Sequence, residues 1–511
     1  VTANLACADS CLAGAEVDAL AARCATSLHR SGVGEGDTVG LLLRNEPRVL
    51  VAVLAARLVG AYAVPVNWHF RAEETKAIVA DSGMRLLFVH ASLLEGVRDA
   101  LPADLPLVVL DDTAALVQDY GLQVSAFARA PRARRWDDWL AAEAQPFPPT
   151  RPRSSMSYTS GTTGQPKGVR REPMSPLHVQ RVAEVNRVAF GLNPGARAMV
   201  VTPLYHSAPG AYALQALAVA EVLFIEPRFE ASRCLALIER HRISHLYLVP
   251  TLMHRLLRLP AQVRARHDLS SLRFVLHGAA PCPPVVKRAL IDWWGPVLHE
   301  FYGGGEAGPV AAIGSADWLR KPGSVGRLVP HVRVCIADEQ GRELPAGTTG
   351  TIYVEQCAYP PFTYHGRPEL RAGCTHPHDP ALFTLGDVDH RDAEGFLFLS
   401  DRRKDMVISG GVNIYPAEIE SVLAAMPGVG DCAVFGVPDE EFGETLLAVV
   451  EPETGVRLDA AQVQGWLRER LAGFKVPRRV EFRGTLPRED SGKIFKRRLR
   501  EPYWQAAGRA I

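Results

Sequence analysis

None of the nine cysteines forms a CxxC pair, and no Cys/His cluster has zinc-finger spacing. The dispersed set (Cys7, Cys11, Cys24, Cys234, Cys282, Cys335, Cys357, Cys374 and Cys432) reads as reduced thiols, and so as a cytoplasmic protein. Neither sign of charge is in excess. Lys+Arg number 57 against 56 Asp+Glu, a net charge of +1, which argues against a nucleic-acid partner. Long apolar runs are missing too. Val49–Val66 is interrupted by Arg57, Gly60 and Pro65, and Ala211–Pro227 by Gln215, Glu221 and Glu226. Neither is expected to span a membrane; each reads as a buried helix followed by a buried strand. The first residues show no basic stretch leading into an apolar one, so no signal peptide is expected. No period of 20–50 residues recurs, which excludes a solenoid. What remains is an ordinary globular composition, 47% hydrophobic, over 511 residues, which is too long for one core.

The N-terminal part alternates helical and strand patterns. Asp18–Ser31, Val49–Leu58 and Thr75–Asp81 are spaced as helices. Thr38–Leu43, Tyr62–Val66, Leu86–Val89, Ala198–Val201, Glu221–Ile225, His245–Val249 and Arg273–His277 read as strands. This alternation predicts mostly parallel sheets covered by helices. Val332–Ala337 and Gly350–Glu355 read as strands of an antiparallel, barrel-like element. A change near residue 400 opens a small α+β domain. Helices are expected at Tyr415–Met426 and Leu458–Leu471, and strands at Asp431–Val437, Thr445–Val450 and Arg479–Phe482. The expected organisation is an α/β core over 1–400, a hinge over 401–404 and a small mobile domain over 405–511.

The most informative segment is Ser157-Tyr-Thr-Ser-Gly-Thr-Thr-Gly-Gln-Pro-Lys-Gly168, with five Ser/Thr hydroxyls, three glycines and a lysine. Glycines let backbone N–H groups approach an anion, hydroxyls add short donors, and Lys167 adds a point charge. The pattern suits a phosphate cradle, although GxxxxGK[ST] is absent. By composition alone, a polar hairpin or linker fits as well.

Other motifs follow in order: Phe301-Tyr-Gly-Gly-Gly-Glu306, Thr384-Leu-Gly-Asp387, Asp401-Arg-Arg-Lys-Asp405, Ser409-Gly-Gly-Val-Asn-Ile-Tyr-Pro-Ala-Glu-Ile-Glu420 and Pro487-Arg-Glu-Asp-Ser-Gly-Lys493. Together they resemble the adenylate-forming superfamily of acyl-CoA synthetases, peptide-synthetase adenylation domains and luciferases, over nearly the whole chain. The resemblance implies ATP-dependent activation of a carboxylic acid to an acyl-adenylate, with ATP, Mg²⁺ and coenzyme A as cofactors. It implies that Thr159, Ser160, Gly161, Thr162, Thr163, Gly164 and Lys167 hold phosphates. Tyr302 would stack on adenine, with Gly303, Gly305, Gly278, Ala279 and Ala280 around the nucleotide. Asp387 and Arg402 would meet the ribose, Glu306 the magnesium ion, and Lys493 the reacting carboxylate and α-phosphate. Lys404 would be the hinge. Tyr205, His206, Gly278, Ser409, Gly410 and Gly411 would line the acyl and thiol path, with His206 beside the reacting carboxylate.

Two positions depart from the family pattern. Gly305 replaces the threonine before the metal glutamate, a loss of about 1 kcal/mol of transition-state stabilisation. Leu385 stands where many relatives have Thr and reads as a minor change. The run Trp293-Trp-Gly-Pro-Val-Leu-His-Glu-Phe-Tyr302 looks most like bacterial acyl-CoA ligases for hydrophobic acids, and no carrier-protein segment follows the lysine motif. The expected reaction is acyl-CoA formation. An amide synthetase, a carrier-protein-loading ligase and a non-catalytic nucleotide-binding regulator are the alternatives, and a homodimer is left open.

Overall fold

The computed structural model describes residues 1–8, 10–70, 72–123, 133–160, 166–280, 282–399, 401–402, 406–409, 412–439, 442–471, 473–488 and 494–506. Its largest sheet has ten strands. Asn4–Cys7, Val222–Ile225, Arg197–Val200, His245–Leu248, Phe274–His277 and Leu298–Gly304 run parallel in that spatial order. Gly308–Gly314, Ser324–Leu328 and Leu397–Phe398 then continue the sheet antiparallel, and Ser10–Leu12 adds the tenth strand at the other edge, antiparallel to Asn4–Cys7. A second, five-stranded sheet is wholly parallel: Tyr62–Pro65, Thr38–Leu42, Leu86–His90, Leu107–Leu110 and Ala133–Arg135. Pro47–Leu58 is apolar on most of its circumference, and Val49–Val53, Ala55 and Ala56 are all buried. A helix with no polar face must be covered on several sides. This one contributes to the core that joins both sheets, where each fully buried Leu or Val adds about 1.5–3 kcal/mol.

The antiparallel element consists of Val332–Ala337, Gly350–Gln356, Phe383–Asp389 and Asp401–Arg402. A three-stranded sheet, Phe362–Tyr364, Pro166–Arg171 and Tyr158–Ser160, shares its apolar core through Val169, Phe362, Tyr364, Val334, Ile352 and Phe383. The C-terminal part has its own sheet: Val412–Ile414, Val407–Ser409, Gly443–Pro452, Val429–Asp439 and Arg479–Phe482. Its two apolar clusters are drawn entirely from residues after 406.

Most expected elements are present, and their ends differ for local reasons. The helix expected from Asp18 begins at Gly14, because the Glu16 carboxylate accepts the Ala13 N–H at 2.6 Å ahead of the first apolar residue. The helix expected over Leu458–Leu471 is Ala460–Arg468. Asp459 caps it by accepting the Gln462 N–H at 2.8 Å, while Gln462 accepts the Asp459 N–H at 2.9 Å.

Candidate active site

The Ser157–Gly168 segment forms two arms of a hairpin, Tyr158–Ser160 and Pro166–Arg171, with Thr159 opposite Lys167. Gly161, Thr162, Thr163 and Gly164 lie outside the described residues. The first arm is tied down by Tyr158, whose hydroxyl donates to Asp81 Oδ2 at 2.7 Å; Arg367 holds the other oxygen at 2.7 Å. The second arm pairs with Phe362–Tyr364. This brings Tyr364 to Lys167, whose Nζ lies 5.5 Å from the ring centroid. The Tyr364 hydroxyl donates to Glu306 Oε1 at 3.1 Å. Burial and the neighbouring Glu306 push the Tyr364 phenol up, so it stays a neutral donor.

Glu306 occupies the turn between Leu298–Gly304 and Gly308–Gly314. Gly308 closes that turn at φ +66°, a conformation glycine adopts without strain. Arg171, on the phosphate hairpin, donates to the Glu306 carbonyl and, at 2.5 Å, to that of Pro360. Burial pulls its guanidinium down to about 10. Lys167, Tyr364, Arg171 and Glu306 therefore join three segments far apart in sequence. Tyr364 and Arg171 belong to no motif, and nothing in their local sequence marks them.

Tyr302 and Gly303 lie on Leu298–Gly304. The Tyr302 hydroxyl donates to Asp387 Oδ2 at 2.6 Å. Asp387 is on Phe383–Asp389, one residue after Gly386 at φ +87°, and its register partner is Arg402. The two residues expected at adenine and ribose are thus in direct contact, with the third on the adjacent strand. The methyl carbons of Leu385 lie 3.3 and 3.4 Å from where a side chain on Gly304 would begin, so Leu385 packs against that glycine.

The chain matches the AMP-binding enzyme family over residues 6–359 and the AMP-binding enzyme C-terminal domain over 418–493. It belongs to the AMP-binding enzyme family. It is 34% identical to an indoleacetate–CoA ligase of Aromatoleum aromaticum, over 96% of this chain and 93% of that protein. It is 32% identical to a long-chain-fatty-acid–CoA ligase of Mycobacterium tuberculosis, over 96% and 92%. Among solved structures it is similar to the amide bond synthetase McbA from Marinactinospora thermotolerans, with a TM-score of 0.82, 30% identity and coverage of 98% and 96%. By this kinship it is an AMP-forming acid–thiol ligase of the acyl-CoA synthetase kind, using ATP and coenzyme A.

In this AMP-binding enzyme, His206 is the residue immediately before the helix Ser207–Val219, and its ring centroid lies 4.3 Å from that of Tyr205. The preceding loop is pinned by the buried Asn45. Its amide donates to the carbonyls of Thr202 at 2.9 Å and Glu226 at 3.2 Å, and its oxygen accepts the Leu204 N–H at 2.8 Å. Gly278 follows Phe274–His277, and a Cβ there would meet the Phe301 ring at 2.8 Å. Ala279 adopts φ +69°, a strained conformation for a residue with a side chain. Behind this segment the buried Lys287 Nζ meets Glu300 Oε2 at 2.5 Å. Burial, then the charge of Lys287, drives the His277 imidazole well below its ordinary range. Ser409 ends a strand of the C-terminal sheet. Lys404, Gly410, Gly411 and Lys493 lie outside the described residues.

A magnesium ion fits the donor chemistry here. Glu306 offers a hard carboxylate at a turn, beside the lysine expected at the phosphates. Among the described residues no group of three or more His, Cys, Asp or Glu could hold a metal. The ion would therefore be held by Glu306 and by phosphate oxygens of the nucleotide.

Proposed function

We propose that the protein joins a hydrophobic carboxylic acid to AMP and then to coenzyme A through the residues assembled here. Lys167, with Thr159, Ser160, Gly161, Thr162, Thr163 and Gly164, holds the β- and γ-phosphates. Tyr302 lies against adenine, with Gly278, Ala279, Ala280, Gly303 and Gly305 around the nucleotide. Asp387 and Arg402 hold the ribose, and Glu306 holds Mg²⁺, which neutralises phosphate charge. The acid lies with its carboxylate by His206 at the start of Ser207–Val219, where the helix end favours an anion. A carboxylate oxygen attacks the α-phosphorus, the bond to the bridging oxygen breaks, and pyrophosphate leaves. Lys493 neutralises the charge that builds up in this step. The C-terminal domain then turns about Lys404. The thiol approaches past Ser409, Gly410 and Gly411, its sulfur attacks the acyl carbon, and AMP leaves. All nine cysteines are free, which supports a cytoplasmic location.

The observation that carries this reading is the juxtaposition of Lys167 and Glu306 through one tyrosine, in a chain related over 96% of its length to CoA ligases. A second reading, amide formation, is favoured by the likeness to McbA together with Gly305. One experiment separates them: product mass spectrometry with ATP, Mg²⁺ and aromatic, fatty and steroidal acids, with coenzyme A, with an amine, or with neither. Acid-dependent acyl-CoA is the expected product. An amide without thioester favours the second reading, and absence of any adenylate across the panel defeats both.

A further inference from the structure

The parallel pairing of Phe274–His277 with Leu298–Gly304 ends at His277, which lies opposite Glu300. Past that rung one chain continues as Gly278, Ala279 and Ala280, the other as Phe301 and Tyr302. Parallel sheets take their ligands outside such carboxyl ends. The first chain then returns as the helix Pro284–Trp294, and its Lys287 Nζ donates to Glu300 Oε2 at 2.5 Å. Glu300 thus meets both ends of the stretch 277–287. His277 is its register partner, with Nε2 3.8 Å from Oε2, and Lys287 is its ion-pair partner. The stretch between them is not relaxed. Ala279 sits at φ +69°, and a Cβ on Gly278 would lie 3.0 Å from the Phe301 carbonyl oxygen. Strain of this kind persists only where the surroundings over-determine it. Lys287 is fully buried, with its Nζ 4.9 Å from the centroid of the buried Trp318 ring. Burial, then the charge of Lys287, keeps His277 neutral, so Lys287 balances Glu300. Taking two charges out of water commonly costs as much as, or more than, packing two apolar side chains of the same size. Stability alone does not account for this pair, whereas a fixed distance between helix and strand does.

We propose that Lys287 and Glu300 are positioning residues for the nucleotide, setting the gap between the Gly278–Ala280 stretch and Tyr302 in which adenine lies. This rests on the reading above that places ATP between these segments. Glu300 is two residues before Tyr302, on the same face of the strand. The Tyr302 ring is therefore held at two points: at its hydroxyl by Asp387, 2.6 Å away, and through its backbone by the strand that Glu300 anchors. The opposite wall is held by the same carboxylate through Lys287. The phosphate hairpin is fixed elsewhere, by Tyr158 on Asp81 and by the pairing of its second arm with Phe362–Tyr364. Loosening the ion pair therefore weakens the hold on the base and spares the hold on the phosphates.

The test measures Kd by calorimetry for ATP and for tripolyphosphate, which lacks base and sugar, both with Mg²⁺. It uses the wild-type protein, Lys287→Met, Glu300→Leu and the double variant, each below its own thermal midpoint. The single variants leave one buried charge unmatched and are expected to lower the midpoint; the apolar double variant is expected to recover most of it. In all three the Kd for ATP is expected to rise about tenfold, the worth of one base-stacking contact. The Kd for tripolyphosphate is expected to stay within about twofold of the wild type. A double variant that recovers both the midpoint and wild-type ATP binding overturns the proposal, because the pair then only packs. Equal weakening of both ligands overturns it too, and leaves the parent reading standing. A wild type that binds neither ligand overturns the parent reading as well.

Discussion

Tyr364 shows how much of the site rests on a residue that no motif announces. Its ring lies beside Lys167 and its hydroxyl holds Glu306, so one side chain sets the spacing between the cation expected at the phosphates and the carboxylate expected at the metal. Tyr364→Phe keeps the ring and removes one hydrogen bond to a carboxylate, an interaction of about 1–3 kcal/mol. We expect acid-dependent pyrophosphate exchange to fall about tenfold, and the Mg²⁺ concentration for half-maximal rate to rise. An unchanged magnesium dependence would remove Tyr364 from the site. Asn45 is the corresponding case for the acid side. Its three hydrogen bonds to distant backbone fix the loop that delivers Tyr205 and His206.

The element that most constrains the nucleotide side is the hairpin Leu298–Gly304/Gly308–Gly314. Its three consecutive glycines look alike in the sequence, yet the neighbours of Gly303 and Gly304 are unlike. A Cβ on Gly303 would lie 2.1 Å from the Gly308 carbonyl oxygen, a backbone atom that cannot yield without opening the hairpin. A Cβ on Gly304 would meet side-chain ends, the Leu385 methyl carbons at 3.3 and 3.4 Å and Glu306 Oε2 at 3.6 Å, and such ends can rotate. Gly303→Ala is therefore predicted to destabilise by about 3 kcal/mol and to weaken ATP binding, while Gly304→Ala costs about 1 kcal/mol or less. Urea unfolding of the two variants decides the matter; equal losses would mean that the hairpin relaxes more freely than its geometry implies.

Across the molecule, buried histidines set the acid limit of stability. His254 and His299 are both pulled down to about 4 by burial, then by Arg258 and Lys287 respectively. His277 moves the same way, driven first by burial. The unfolded chain protonates these groups near pH 6.5, while the folded chain keeps His254 and His299 neutral to about pH 4. In that window the unfolded state binds more protons. Stability is then full above pH 6.5 and falls as the pH drops, by about 1.4 kcal/mol per pH unit for each histidine. Glu226, pushed up by burial, opposes this with a single group. Urea midpoints at pH 7.5 and pH 5 should therefore differ clearly, and His299→Phe should shrink the difference. A midpoint that holds or rises toward pH 5 contradicts this account.

Local features were legible in residue order and spacing. Helix and strand alternation, the buried Pro47–Leu58 helix and the ordered motifs from Ser157 to Lys493 are written in spacing that nearby residues enforce. The Tyr302-to-Glu306 and Thr384-to-Asp387 segments could be recognised for the same reason: each is short and continuous. Which segments meet followed from the packing of distant elements. Tyr158 with Asp81 and Arg367, Glu306 with Tyr364, and Asn45 with Leu204 each span dozens to hundreds of residues. Those pairings depend on a strand order in which Asn4–Cys7 lies beside Val222–Ile225, and Phe362–Tyr364 beside Pro166–Arg171. Periodicity tells which face of an element is buried, but not which distant element covers it. The packing of whole sheets decides that, and so turned a polar stretch, a lone tyrosine and a glycine turn into one site.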